Sequence, residues 1–514
     1  MKKIILILVL PALLWAVAGC KKFLTKEPIS FVSPANYYNN EEEVAKALAG
    51  VYDIVSAETN WGCRIPVRHN ASTDESFFSY TSFPTGPFRY NYDVADAHVT
   101  ELWKSLYAGI ERANTLLANL DKTDMDATKK EHVRGQALFL RAFFYFTLVQ
   151  YWGDVPLKLE PSSSVNNVDI ARTPAKDVYA QITADMKEAE TLVQSATEVG
   201  MSGKVSKSAV RGILARVYLT MAGYPLKDAS KFKEARDWAL KVKESNEHVL
   251  NPDYKQIFIN HSADIEDYKE CIWEAECYGT NNDAYREGGR IGNENGVNCR
   301  STDFAEIGYA YGFNSTTRKL FFSYGPDDVR RDWAISTYSM NAAGVKTTLA
   351  ATNIYGRNCA KWRREYEVLS PKNKNYTPAN FPMLRYADVL LMLAEAENEE
   401  NGPTPLAHEA LNLVRHRAGL IDTAIGSKDD FRAEIRNERS RELCFEGLRK
   451  PDLVRWGIFL QAMKETAEEF RAYATSGQMY AAVNAENVNE RHLLYPIPLS
   501  ETSLNKKIVQ NPGW

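Results

Sequence analysis

Apolar residues return every three or four positions through much of the first half of the chain, the spacing that places them on one face of a helix. Val133, Ala137, Leu140, Phe144, Leu148 and Tyr151 make one such face, with Asp126 placed to cap its start and Gly153 and Pro156 to end it. A second helix is predicted to open at Thr173-Pro174, where a proline at the first helical position loses no needed hydrogen bond, and to bury Val178, Ile182, Met186 and Ala189. Its partner starts at Ser206 and turns Val210, Leu214, Val217 and Met221 inward, with small Ala209, Gly212 and Ala215 where a neighbour must approach closely. The pattern returns far downstream. Leu384, Ala387, Leu391 and Ala394 form one apolar face, and Ala407, Leu411, Val414 and Ala418 another, stopped by Gly419. Between the two blocks, Tyr254 to Asn380 carries Gly288-Gly289, the polar run Gly292 to Gly296 and scattered tyrosines, and reads as loops with short irregular strands.

The first residues follow a different pattern. Lys2 and Lys3 precede an uncharged apolar run from Ile4 to Ala18, and Val17-Ala18-Gly19 lead into Cys20. This is the order of a secretory signal, here residues 1–19, and the run is shorter than the roughly 20 residues a membrane-spanning helix needs. Small residues before a cysteine look like the lipobox of bacterial lipoproteins, which makes Cys20 the lipidation site and an acyl anchor the expected attachment. Over the whole chain, 62 Lys and Arg against 66 Asp and Glu give a net charge of -4, with no basic stripe of the kind a nucleic-acid surface requires. Length alone allows about three domains or one intertwined body. Besides Cys20 there are six cysteines, Cys63, Cys271, Cys277, Cys299, Cys359 and Cys444, without a CxxC. Their pairing is open, and Cys444 lies in a helical pattern that suits a buried thiol.

Candidate chemistry divides into charges and aromatics. Glu438, Arg439, Glu442, Glu446, Arg449, Asp452 and Arg455 crowd one charged segment. Paired carboxylates serve glycosidases, but Glu438 with Arg441, Arg439 with Glu442 and Glu446 with Arg449 stand three apart, where opposite charges on a helix pair locally. We therefore expect an ion network. None of the eight histidines forms a metal-binding spacing, and there is no phosphate loop or nucleophile elbow, so no catalytic residue, metal or cofactor is assigned. Aromatics cluster twice. Trp61, Phe77, Phe78, Tyr80, Phe83, Phe88, Tyr90 and Tyr92 interleave with Arg64, Asp74, Glu75 and Arg89, and a second group holds Tyr278, Tyr285, Arg286, Arg290, Tyr309, Tyr311 and Phe313. Flat rings beside polar groups suit the C–H faces and hydroxyls of sugars, although any one ring can equally pack a loop onto the scaffold. Trp103, Trp152, Trp238 and Trp456 fall in helical patterns and are assigned to the core, while Trp333 is left open.

A series of short motifs in a fixed order then resembles the RagB/SusD family of nutrient-binding outer-membrane lipoproteins. They include Ala47-Leu48-Ala49-Gly50-Val51-Tyr52-Asp53, Arg141-Ala142-Phe143-Phe144-Tyr145-Phe146 leading to Tyr151-Trp152-Gly153-Asp154-Val155-Pro156, Leu384-Arg385-Tyr386-Ala387-Asp388, Asn437-Glu438-Arg439, Asp452-Leu453-Val454-Arg455-Trp456-Gly457 and the terminal Asn511-Pro512-Gly513-Trp514. The resemblance implies a mainly α fold of tetratricopeptide-like helix pairs packed against a loop-rich variable half. Residues 20–250 would form the N-terminal helical part and 251–514 the C-terminal part, with the variable loops at 255–380. It implies no enzyme but a lipoprotein of the outer membrane that binds a nutrient, here read as an oligosaccharide, and delivers it to a SusC-like TonB-dependent transporter. A peptide ligand, a glycan hydrolase and a purely protein-binding adaptor stand as the alternatives. The ligand residues expected from the two aromatic regions are Trp61, Asp74, Phe78, Tyr80, Arg89, Tyr90, Tyr285, Arg290, Tyr309 and Tyr311. Cell-surface relatives often carry acidic residues after the acylated cysteine, whereas Lys21 and Lys22 follow Cys20, so the surface is the expected location with a periplasm-facing anchor left open.

Overall fold

The computed structural model describes residues 37–162, 164, 169–279, 281 and 288–514. The signal segment, Cys20 and Tyr285 lie outside these residues. Helices α1 (Glu41–Ser56), α2 (Ala97–Leu120), α3 (Ala127–Trp152), α4 (Ala175–Leu192), α5 (Lys207–Ala222) and α6 (Lys231–Glu244) follow one another, each packed on its predecessor. After α7 (Tyr254–Ala263) the array is interrupted by loops and short strands and then resumes with α8 (Tyr386–Asn401), α9 (Pro405–Arg417) and α10 (Lys428–Leu443). Helix α6 packs directly on α8, so the helical stack runs on as though the segment between them were an insertion. This is the expected tetratricopeptide-like arrangement with its discontinuity. Helices α11 (Arg449–Arg455), α12 (Phe459–Tyr473) and α13 (Tyr480–Glu486) complete the described helices of seven residues or more. None of the described helices is long and apolar enough to cross a membrane.

Local signals set most boundaries. Asp126 caps α3 through the backbone N–H of Lys129, Ser206 caps α5 through Ala209, and Gly419 follows α9 with φ of 82°. At Thr173-Pro174 the cap differs from expectation. Pro174 lies just outside α4, and the Asp154 side chain reaches from the preceding loop to accept the N–H of Ala175. Leu384 is also displaced from the predicted helix. It belongs to β4 (Phe381–Arg385), which pairs antiparallel with β2 (Cys271–Ala275) and ties together the two ends of the inserted segment. Gly212 permits that strand to sit on α5, since a Cβ there would stand 2.4 Å from a Leu384 methyl.

Trp103, Trp152 and Trp333 are buried, while Trp238 and Trp456 are half-buried, each beside a cation, Lys241 and Arg436 respectively. The six cysteines are buried and free. The charged segment is an ion network, as its composition suggests, but its partners are mostly distant in sequence. Glu438 does pair with Arg441 at 2.7 Å. Arg439 instead reaches Asp388 and Asp452, Glu442 takes Arg330, Arg385 and Arg417, and Glu446 takes Lys361 and Arg385. Burial alone would raise the Glu442 carboxyl, yet Arg417, Arg385 and Arg330 hold it well below the usual range. With every carboxylate enclosed and paired, this segment presents no acid–base pair to solvent.

Candidate functional site

The two aromatic regions meet through a short antiparallel ladder. Strand β1 (Ser76–Phe78) pairs with β3 (Asn314–Thr316), in the register Ser76 to Thr316 and Phe78 to Asn314. The pairing extends one step further, where the Ser79 N–H donates to the Phe313 carbonyl at 2.6 Å. Side chains alternate across a strand. Phe78 therefore points into the core and stacks on Phe88, while Phe77 on the opposite side packs edge-on against Phe470.

Beyond the strand, Tyr80 stacks on Phe313 with centroids 4.7 Å apart and meets the edge of Tyr311 at 5.6 Å. Tyr309, Tyr311 and Phe313 occupy alternate positions, and each ring contacts the next at 5.1 and 5.3 Å. The result is a continuous ladder, Tyr309–Tyr311–Phe313–Tyr80, in which the three tyrosines are half-buried. Tyr80 and Tyr311 border a cleft of about 370 Å³, the size of a small-ligand site. Its other borders include Tyr355, Gln478 and Tyr480, and Asn298, Arg300, Ser315 and Asn358 supply polar groups. Gly312 turns the chain at the cleft with φ of 61°, and a Cβ there would stand 2.8 Å from the Asn358 amide carbon. Tyr480 arrives from α13 and donates its hydroxyl to the Ser79 carbonyl at 3.1 Å. Neither Tyr355 nor Tyr480 carries a local sequence signal that would have drawn it into the site. Both stand far along the chain from the two clusters, and only tertiary packing brings them there.

Of the described residues expected to touch ligand, the structure brings Tyr80, Tyr309 and Tyr311 together and disperses the others. Trp61 is only 7% exposed and packs on Phe143 at 4.8 Å, beside an internal space of about 60 Å³, room for a few waters and no sugar. Phe78 and Tyr90 are 0% and 2% exposed, core rings rather than platforms. Asp74 is 2% exposed and forms a two-point pair with Arg449, at 2.8 and 2.7 Å, with Lys319 at 2.9 Å. Burial pushes its carboxyl upward, but Arg449 and Lys319 outweigh this and hold it well below the usual range. Arg89 is buried and donates to the carbonyls of Phe83, Phe78 and Tyr80, so it holds the turn that presents Tyr80. Arg290 pairs with Glu58 and Glu294 away from the cleft. These corrections share a cause: a charged or aromatic residue in a polar-looking segment can be enclosed by distant parts of the chain that its neighbours do not reveal.

Comparison with known proteins agrees with this architecture. Residues 270–514 match the SusD family, and residues 22–219 match a family described as starch-binding and associating with the outer membrane. A SusD-like protein, P25, of Formosa agariphila is 25% identical over 541 aligned positions covering 98% of each chain. The starch-binding protein SusD of Bacteroides thetaiotaomicron is 24% identical, over 77% of this chain and 75% of its own. The crystal structure of a SusD homologue from Bacteroides thetaiotaomicron superimposes with a TM-score of 0.87 at 30% identity, covering 94% of this chain and 98% of that one. Motif order, helical array and full-length structural agreement together make this chain a member of the SusD family.

Proposed function

We propose that the protein captures an oligosaccharide in the cleft edged by Tyr80, Tyr311 and Tyr480 and delivers it to a SusC-like TonB-dependent transporter, from an outer-membrane anchor at Cys20. The observation that carries this reading is that half-buried Tyr80, Tyr311 and Tyr480 border one cleft together with polar side chains. Aromatic faces pack against the C–H faces of a sugar while amides and hydroxyls meet its oxygens. The starch-binding relative supports the same ligand class. A peptide would draw on free backbone groups, whereas the cleft carbonyls of Ser79, Gly312 and Phe313 already accept hydrogen bonds from Tyr480, Asn358 and Ser79. The family consists of binding proteins, and the cleft is bordered by no carboxylate among the described residues, so no hydrolysis is assigned to it.

A glycan array with the purified protein identifies the bound glycan, and calorimetry then measures Tyr80→Ala and Tyr311→Ala. Each Ala variant removes the apolar ring area buried against the sugar, at about 25 cal/mol per Å², so loss of roughly 60 Å² should weaken binding by about 10-fold. Unchanged affinity in both variants would refute the placement, and peptide capture without glycan capture would overturn the ligand class.

A further inference from the structure

The guanidinium groups inside this protein are mostly answered by carboxylates. Arg68 meets Glu294 at 2.6 Å, Arg330 meets Asp328 at 2.7 Å, Arg385 meets Glu446 at 2.8 Å and Arg449 meets Asp74 at 2.7 Å. Arg300, at the cleft, is different. It is half-buried, and among the described residues no carboxylate oxygen lies within 4.0 Å of it. Its guanidinium stands 5.5 and 5.1 Å from the ring centroids of Tyr309 and Tyr311, donating to the Tyr309 hydroxyl at 3.0 Å and the Tyr311 carbonyl at 3.4 Å. A guanidinium has five N–H donors in a planar fork. The two bonds hold Arg300 in place and leave donors over for an incoming group.

The surroundings raise the local positive potential. Lys374 stands 5.0 Å from the Tyr309 ring centroid and also has no carboxylate partner among the described residues. Arg89 and Arg357 are buried behind the cleft, and their guanidinium groups bond to carbonyls rather than carboxylates. Two acids stand near the cleft wall and both are already engaged: Glu469, behind Tyr355, is held by its hydroxyl and by the backbone N–H groups of Arg318 and Lys319, and Glu365 accepts from the Tyr338 hydroxyl and pairs with Lys346. A cleft with cations of one sign and low-dielectric walls concentrates the field on its occupant. A fixed guanidinium fork matches planar or multi-oxygen anions in particular.

We propose that the cleft takes a negatively charged saccharide, bearing a carboxylate or a sulfate, and that Arg300 is the residue that selects it. This rests on the glycan-binding role proposed above and narrows it. Neutral glycans would stack on the same tyrosines without answering Arg300. The charge would then distinguish among sugars of similar shape.

The test uses the intact protein and three pools of oligosaccharides, one of uronic acids, one of sulfated sugars and one of neutral sugars, followed by calorimetry on the pool that binds. Binding from the uronic or the sulfated pool is expected, and which of them binds identifies the anion. Affinity should fall as sodium chloride is raised. Arg300→Gln should lower it by about 10-fold or more, and Arg300→Lys, which keeps the charge and loses the fork, should fall between. Binding from the neutral pool alone, or anionic binding untouched by either variant and by salt, overturns the inference while leaving the glycan reading intact. No binding from any pool overturns both. The salt and pool comparisons need only the unmodified protein, so they decide even if a variant folds poorly.

Discussion

Replacing Asp74 by Asn tests whether this residue belongs to the scaffold or to the ligand. In the native protein its carboxylate is buried and makes a two-point pair with Arg449, itself buried. The substitution preserves shape and one acceptor oxygen but leaves a guanidinium without its counter-charge. Removing one partner of a buried pair costs about 3–5 kcal/mol. The lower end applies here, because the amide oxygen can still accept one bond and exposed Lys319 can turn to water. With an unfolding entropy near 2.1 cal/mol/K per residue, a chain of this size changes by about 1 kcal/mol per degree, so the loss corresponds to a fall in Tm of about 3 °C. Thermal and urea unfolding followed by circular dichroism measure it. The pH dependence gives an independent check. Asp74 has its folded pKa depressed, so its contribution is complete above the unfolded carboxylate value near 4 and is lost as pH falls further. The gap between wild type and variant should therefore narrow in strong acid. An Asp74→Asn protein that melts with the wild type yet no longer binds glycan would refute the assignment and return Asp74 to the site.

Three further outcomes follow from buried groups and from backbone geometry. Burial lowers His98 and His492 to about 4 and His69 well below its usual value, so the folded state resists protons that the unfolded chain accepts near 6.5. Stability should decline between about pH 6.5 and 4, and His492→Gln should flatten part of that decline in a series of Tm measurements. Lys450 is buried among Tyr90, Phe459 and Tyr495 and is lowered by burial to about 7, so its presence destabilises progressively as pH falls from about 10.5 to 7. Lys450→Met should therefore gain more in Tm at pH 7 than at pH 10, and a pH-independent difference would contradict this. Gly312→Ala places a Cβ against Asn358 at a left-handed φ and should cost about 1–2 kcal/mol while weakening glycan binding, read by melting and calorimetry together.

The amino-acid sequence by itself determined the helical scaffold, because periodicity and capping are local. Asp126, Ser206 and Gly419 set helix boundaries through atoms only a few residues away. It also marked the segment that interrupts the stack and the aromatic regions from which the cleft is drawn. The structure had to decide which rings face the cleft, because that depends on the register of β1 against β3 and on a C-terminal helix. Phe78 and Tyr80 stand two positions apart, yet one is core and the other borders the cleft. Charges behaved similarly. Of the three local pairs written into the Glu438–Arg455 segment, Glu438 with Arg441 forms, while Arg439 and Arg449 turn to Asp388 and Asp74, far away in the chain. Hydrophobic periodicity needs only a face to bury, whereas ion pairing and ring exposure depend on what the rest of the fold brings within a few ångströms.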